Sequence, residues 1–177
     1  KKFNSKILGI DPAKNLAKKA NKKNINTIAD YFNSKKSLSI KKKYALFDII
    51  IARNVLAHVA KPLEIFKGVD EILLDDGIFI VEVPHLLNIY QKCQYDNVFH
   101  EHIGFHSLKS FIDMCKFVNF NVFDVNIINS QGGSLRVFMT KNKRYSLSPN
   151  VLRLLLKEKK AGLFKIKSWY NYSKKVY

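Results

Sequence analysis

The sequence predicts an α/β domain built on a mostly parallel sheet whose last strand runs antiparallel. Three observations carry this. Short apolar runs at 7–10, 25–28, 47–51 and 78–83 are interleaved with helical patterns at 13–22 and 60–74, the alternation of strand and crossover helix. The run Phe47-Asp48-Ile49-Ile50-Ile51 is nearly all apolar, as expected of a strand covered on both faces. Two further strand-like runs, 121–125 and 135–140, follow one another with only a short connection, which suits an antiparallel pair.

Each element has a local reason. The run Ile7-Leu8-Gly9-Ile10 ends in Asp11, and Pro12 suits the first turn of the helix over 13–22, with Leu16, Ala17 and Ala20 on one face. The second strand ends near Asp30, and residues 33–43, rich in Lys and Ser, read as a polar connection. Pro62 opens the helix over 60–74, which carries Leu63, Phe66, Val69, Ile72 and Leu73 at helical spacing. Asp75-Asp76-Gly77 is a turn signal, and Pro84 stops the strand over 78–83. Ser107 caps a helix running to Cys115. Gln131-Gly132-Gly133-Ser134 joins the closing strands. From Pro149 the pattern turns helical and basic, with Leu152, Leu155, Leu156, Leu163 and Phe164 as its apolar residues and Trp169, Tyr170, Tyr172 and Tyr177 in the tail.

Composition narrows the function classes. At 177 residues and 47% hydrophobic, the chain is long enough for one packed domain. No apolar run has the length of a membrane span, and the start, Lys1-Lys2-Phe3-Asn4, has neither an initiator Met nor the apolar stretch of a signal peptide. The start suggests a chain cut from something longer. The cysteines, Cys93 and Cys115, have no metal-ligand spacing and fit a reducing, cytoplasmic compartment. A formal charge of +17 invites a nucleic-acid reading, but the charge is almost all Lys spread along the chain, the look of a solvated surface under residue bias.

Chemistry concentrates at strand ends. Asp11, at the tip of the first strand, is placed like the acid that holds a ribose diol in nucleotide-binding α/β folds, although an acid before Pro also forms turns. Asp30 is placed to reach an adenine amino group or to cap the next segment. Arg53-Asn54-Val55-Leu56-Ala57-His58 follows the 47–51 strand at the ligand edge, where His58 either borders a ligand or packs and caps. Downstream of Glu82-Val83-Pro84 lies Phe99-His100-Glu101-His102, two imidazoles and a carboxylate able to pass protons near neutral pH. No Gly-x-Gly loop occurs.

Four motifs in order then become specific: Ile51 to His58, Glu82-Val83-Pro84, Phe99 to His102, and Gly132-Gly133-Ser134-Leu135-Arg136-Val137. Together they resemble the S-adenosylmethionine-dependent C-methyltransferases of nucleotide-linked deoxysugars, over nearly the whole chain. The resemblance implies a class I methyltransferase Rossmann-like sheet, incomplete at its N-terminus, in residues 1–143, and the helical start of a C-terminal substrate domain in 144–177. An N-terminal zinc domain and the glycine-rich cofactor loop would lie outside this chain. It further implies a cytoplasmic enzyme that removes the C3 proton of a 4-keto sugar and methylates the resulting enolate. His102 would be the base, with Glu101 and His58 beside it. Asp11, Asp30, Asn54 and Arg53 would hold S-adenosylmethionine, and Phe99, His100 and Arg136 would meet the nucleotide-sugar substrate. Two departures stand out: Phe99 replaces a common Tyr, and Gln131 replaces a frequent His.

The resemblance also places an absent strand between the runs at 7–10 and 47–51. Those two neighbours would then face an open gap, and the 177-residue chain alone would bind cofactor poorly or not at all. Two other readings compete. His102 and His106, four apart, could share a helix face as metal ligands, but Gly104 interrupts the span. The lysines and the aromatic tail could stack on single-stranded nucleic acid, but the aromatics cluster at one end only.

Overall fold

The computed structural model describes residues 5–130 and 132–176, so Lys1 to Asn4, Gln131 and Tyr177 lie outside the described residues. Among the described residues, six strands and seven α-helices follow in the order β1 (Leu8–Ile10), α1 (Lys14–Lys22), β2 (Asn26–Ile28), α2 (Ser34–Lys43), β3 (Phe47–Arg53), α3 (Pro62–Ile72), β4 (Leu73–Pro84), α4 (Leu86–Gln91), α5 (Leu108–Cys115), β5 (Asn121–Ile128), β6 (Ser134–Thr140), α6 (Pro149–Lys160) and α7 (Ile166–Val176).

The strands form two sheets. β1 and β2 pair in parallel. The larger sheet has the order β3-β4-β6-β5, with β3 and β4 parallel and β6 antiparallel to both of its neighbours. The alternating βα pattern thus gives the parallel pairings, and the closing pair is antiparallel as its short connection suggested.

One face of the larger sheet carries the core. Period-two alternation puts Phe79, Val81 and Val83 of β4 on the same side, and their register partners Met139, Val137 and Leu135 on β6 join them. All six are fully buried. Phe66 of α3 meets Phe79 edge-on at 5.4 Å between ring centroids, and Phe111 of α5 and Phe120 close the aromatic cluster. Aromatic contacts of this kind add about 0.5–1.5 kcal/mol each beyond the area they bury. Val151 and Leu154 of α6, and Leu163, belong to the same core.

The other face is barer. Ile49 and Ile51 of β3 are 56% and 65% exposed, although their apolar run reads as covered on both sides. The reason is tertiary: among the described residues no helix packs closely on that face of β3, and β4 is its one strand partner. The free edge of β3 faces the two-stranded sheet across a cavity of about 1470 Å³ lined by Leu8 and Ile10 from β1 and by Ile49, Ile50 and Ile51 from β3. This is the gap expected between those two strands.

Two further expectations differ from the structure. Residues 33–43 are not a connection: Asn33 caps α2 by accepting from the Lys36 amide at 2.8 Å, and Ser37 and Ile40 are buried against the fold. The Asp75-Asp76-Gly77 segment is not a turn ahead of a strand. It bulges within β4, since Phe47 pairs with Leu73 while Ile49 already pairs with Ile78. On α6 the inward stripe is Val151, Leu154 and Glu158, whereas Leu152 and Leu156, and Phe164 beyond the helix, stay largely exposed.

Candidate active site

The carboxyl ends of β1 and β3 open onto the cavity. Asp11 follows β1 directly, and one of its carboxylate oxygens accepts from the Ala13 amide at 2.8 Å, which turns the chain into α1. Asp30 also lines the cavity. Its carboxylate is already engaged, accepting from the Tyr31 amide and pairing with Lys36. The Lys36 hydrogen bond, followed by that of Tyr31, holds its pKa below the usual carboxylate value.

Beyond β3 the chain makes a left-handed step at Asn54, φ 53°, a conformation that Asn tolerates better than most residues. Its amide donates to the Glu82 carbonyl at 2.8 Å. Its side-chain Oδ1 is buried without a hydrogen-bond partner. A buried carbonyl oxygen left this way costs about 1–3 kcal/mol unless a donor reaches it. Other atoms of Asn54 line the cavity, while this oxygen is shut off from it.

Arg53, Glu82 and Arg136 are register partners across β3, β4 and β6. Glu82 is buried, and its two oxygens receive Arg53 Nε at 3.3 Å and Arg136 at 2.8 Å. Burial alone would raise the Glu82 pKa, but the two guanidiniums outweigh it and hold the carboxyl below its ordinary value. The same cross-strand row carries two arginines that the sequence reading assigned separately, one to the cofactor and one to the substrate.

The segment after Pro84 is not one open loop. It forms α4 and a short 3-10 turn at Tyr95–Asn97, then runs without regular structure to Ser107. Three amide bonds tie that run down: Ile103 and Gly104 both donate to the Ala57 carbonyl, at 2.9 and 3.0 Å, and Leu86 donates to the His106 carbonyl at 3.0 Å. The result brings His102 to His58, with ring centroids 4.9 Å apart. His102 Nδ1 lies 2.9 Å from the Asn97 carbonyl, and His58 Nδ1 lies 2.9 Å from the Glu101 carbonyl. A carbonyl oxygen only accepts, so each Nδ1 carries the proton and each Nε2 is left as the basic nitrogen.

His58 and Glu101 line the cavity, while His102, half-buried, is not among the lining residues and packs behind His58. Phe99 packs on the His102 ring at 4.1 Å between centroids. His100 points into solvent, 89% exposed, and Glu101 is its nearest charged partner at 3.9 Å. Arg136 is not among the cavity-lining residues.

His106 has a different fate. It is buried, it is not on a helix with His102, and its Nε2 lies 3.3 Å from the Leu56 carbonyl. Burial lowers its pKa, so it packs as a neutral ring. Among the described residues, no group of three His, Cys, Asp or Glu side chains is arranged to hold a metal ion. His85 and Glu158, buried and hydrogen-bonded to each other at 2.9 Å, were not singled out from the sequence. An acid at the third position of the Val151, Leu154, Glu158 stripe was the available signal.

A sheet with β3 and β4 parallel, β6 antiparallel, and a cavity at the carboxyl ends of the strands is the class I methyltransferase architecture. The chain belongs to the methyltransferase domain family, whose profile matches residues 1–125. It is 32% identical over 159 residues to the C-methyltransferase NovU of Streptomyces niveus, covering 89% of this chain and 38% of that protein. The chain therefore spans well under half the length of this relative. Solved structures share the fold at low identity. An S-adenosylmethionine-dependent methyltransferase from Anabaena variabilis aligns with a TM-score of 0.61 and 13% identity, over 80% of this chain and 70% of that one. The magnesium protoporphyrin IX methyltransferase of Synechocystis, solved with S-adenosylhomocysteine bound, aligns with a TM-score of 0.57 and 11% identity, over 77% and 64%. S-adenosylmethionine is the cofactor of this class of enzyme.

Proposed function

We propose that the protein containing this chain transfers a methyl group to carbon of a nucleotide-linked 4-keto-deoxysugar, with His102 as the base that removes the C3 proton. One observation carries the reading: His102 holds its Nδ1 proton on the Asn97 carbonyl, which leaves a basic Nε2 on a ring packed against His58, itself a lining residue of the cavity. The relative's C-methyltransferase name supports carbon as the acceptor.

The cavity suits the cofactor. Asp11 offers a carboxylate at a strand tip, and Asn54 lines the same cavity just past the carboxyl end of β3. Asp11 and Asn54 would hold S-adenosylmethionine, with Arg53 near its carboxylate and Asp30 toward its adenine. When bound, the cofactor supplies an electrophilic methyl group.

The chain's residues do the proton work. A ketone at C4 makes the C3–H acidic, and His102 Nε2 accepts that proton, turning C3 into a nucleophile. Protonation makes His102 an imidazolium whose Nδ1–H stays on Asn97, so the ring need not turn during the reaction. His58 Nε2 and Glu101 border the same space and would bind sugar hydroxyls. Phe99 buttresses the base, and His100 and Arg136 would meet the nucleotide side of the substrate. Residues 144–177 would begin a C-terminal substrate region, and the enzyme would work in the cytoplasm. Among the described residues, no helix is long and apolar enough to cross a membrane.

The reaction is tested by incubating the full-length protein with S-adenosylmethionine and a nucleotide-linked 4-keto-deoxysugar. A product one methyl heavier, with the new group bonded to C3 by NMR, is expected. A methyl group found on oxygen or nitrogen instead would reject the reading.

A further inference from the structure

We infer that Glu158 is a positioning residue for the segment carrying His102, an inference that rests on the proposed role of His102. Glu158 sits on α6, fully buried. Its carboxylate accepts from the Leu108 amide at 2.6 Å and from the Lys109 amide at 3.2 Å. These are among the first amides of α5, which have no partners within their own helix. The same carboxylate meets His85 Nε2 at 2.9 Å.

Both contacts lead to the active segment. Leu108 follows Ser107, the N-cap of α5, so fixing the Leu108 and Lys109 amides fixes the chain end on which residues 98–106 hang. His85 starts α4. Its backbone bridges to His106, and its amide donates to the Gly133 carbonyl at 3.2 Å. The run from Val98 to His106 is therefore clamped at its end by Leu86 and by the Glu158 carboxylate, and near its middle by Ala57.

The geometry is directional. A buried carboxylate pointed at a helix N-terminus is favoured by the unsatisfied amides and by the positive end of the helix. Nothing else among the described residues caps the Leu108 and Lys109 amides. The one loose end is His85 Nδ1, buried without a partner. With the Nε2 proton donated to Glu158, Nδ1 is left as a lone pair rather than a stranded N–H. None of Glu158, His85 and Leu108 lines the cavity, so any effect on catalysis passes through the segment they hold. The device also ties α6, near the end of the chain, to the proton-transfer site.

The test uses the full-length enzyme with Glu158→Gln, which keeps the volume but removes one acceptor oxygen. His85→Phe serves as a second variant that keeps both amide contacts. Hydrogen exchange over residues 98–109 should quicken about tenfold in Glu158→Gln while β4 and β6 keep their protection. The kcat should fall by about ten- to a hundredfold, with KM for S-adenosylmethionine within about twofold of the parent. His85→Phe should show the same pattern to a smaller degree, and it decides the matter if Glu158→Gln does not fold. Unchanged protection at 98–109, uniform loss of protection across the sheet, or a loosened segment with unchanged kcat would each overturn the inference. Undiminished C3 proton exchange in His102→Ala would instead reject the His102 reading and leave the exchange result over 98–109 standing.

Discussion

The imidazoles of His102 and His58 lie 4.9 Å apart, their planes tilted by 48°, and each directs Nδ1 at a backbone carbonyl. The two carbonyls belong to Asn97 and Glu101, both on the segment that also bears His102. One stretch of backbone therefore sets the tautomer of both rings. The pair is held by main-chain groups, which substitutions of neighbouring side chains disturb least.

Phe99 tests how the oxyanion is handled. It covers the His102 ring at 4.1 Å yet offers no donor. Phe99→Tyr should leave the fold intact and raise kcat for methyl transfer by about tenfold, since a phenol can donate to an oxygen that gains charge. Steady-state rates of the full-length enzyme check this. An unchanged or lower rate would mean that the enolate oxygen is served from elsewhere.

Glu82 sets an acid limit on stability. Two arginines depress its folded pKa below that of the unfolded chain, despite the opposing effect of burial. A depressed carboxylate contributes stability above its unfolded pKa and loses it as pH falls through the folded value. Urea midpoints should drop as pH is lowered from about 5 toward 3. Arg136→Gln should cost about 1–2 kcal/mol at neutral pH and flatten that acid slope. A variant with an unaltered slope would show that Arg53 alone holds the carboxylate.

Much of this was readable in advance. The strands β1, β3 and β4, the Ser107 cap and the His102 neighbourhood announce themselves through local pattern: apolar runs, a hydroxyl before a helix, and polar residues crowded after a strand. What stayed hidden depends on partners distant in sequence. The α2 helix has a Lys- and Ser-rich surface whose inward residues, Ser37 and Ile40, gain meaning only once α3 packs beside them. Glu158 lies amid lysines and reads as one more solvated charge, until the fold brings His85, 73 residues away, against it. The exposure of Ile49 and Ile51 likewise follows from which elements pack on that face of β3, and no local pattern reports that.

The open slot bears on cofactor binding. Among the described residues, β3 is unpaired on one edge and the cavity is walled partly by bare strand, which leaves the proposed cofactor site open on that side. Calorimetric titration of this chain with S-adenosylmethionine should show no binding tighter than about 100 μM, a free energy of roughly −5.5 kcal/mol. Micromolar affinity would mean that Asp11 and Asn54 suffice without a strand between β1 and β3.

The most direct measurement is solvent exchange at the sugar carbon. Full-length enzyme with the 4-keto substrate in deuterium oxide should place deuterium at C3, read by mass spectrometry, and His102→Ala should slow that exchange by at least about a hundredfold while the variant keeps its melting temperature. Exchange at the parent rate in a folded His102→Ala enzyme would contradict the account.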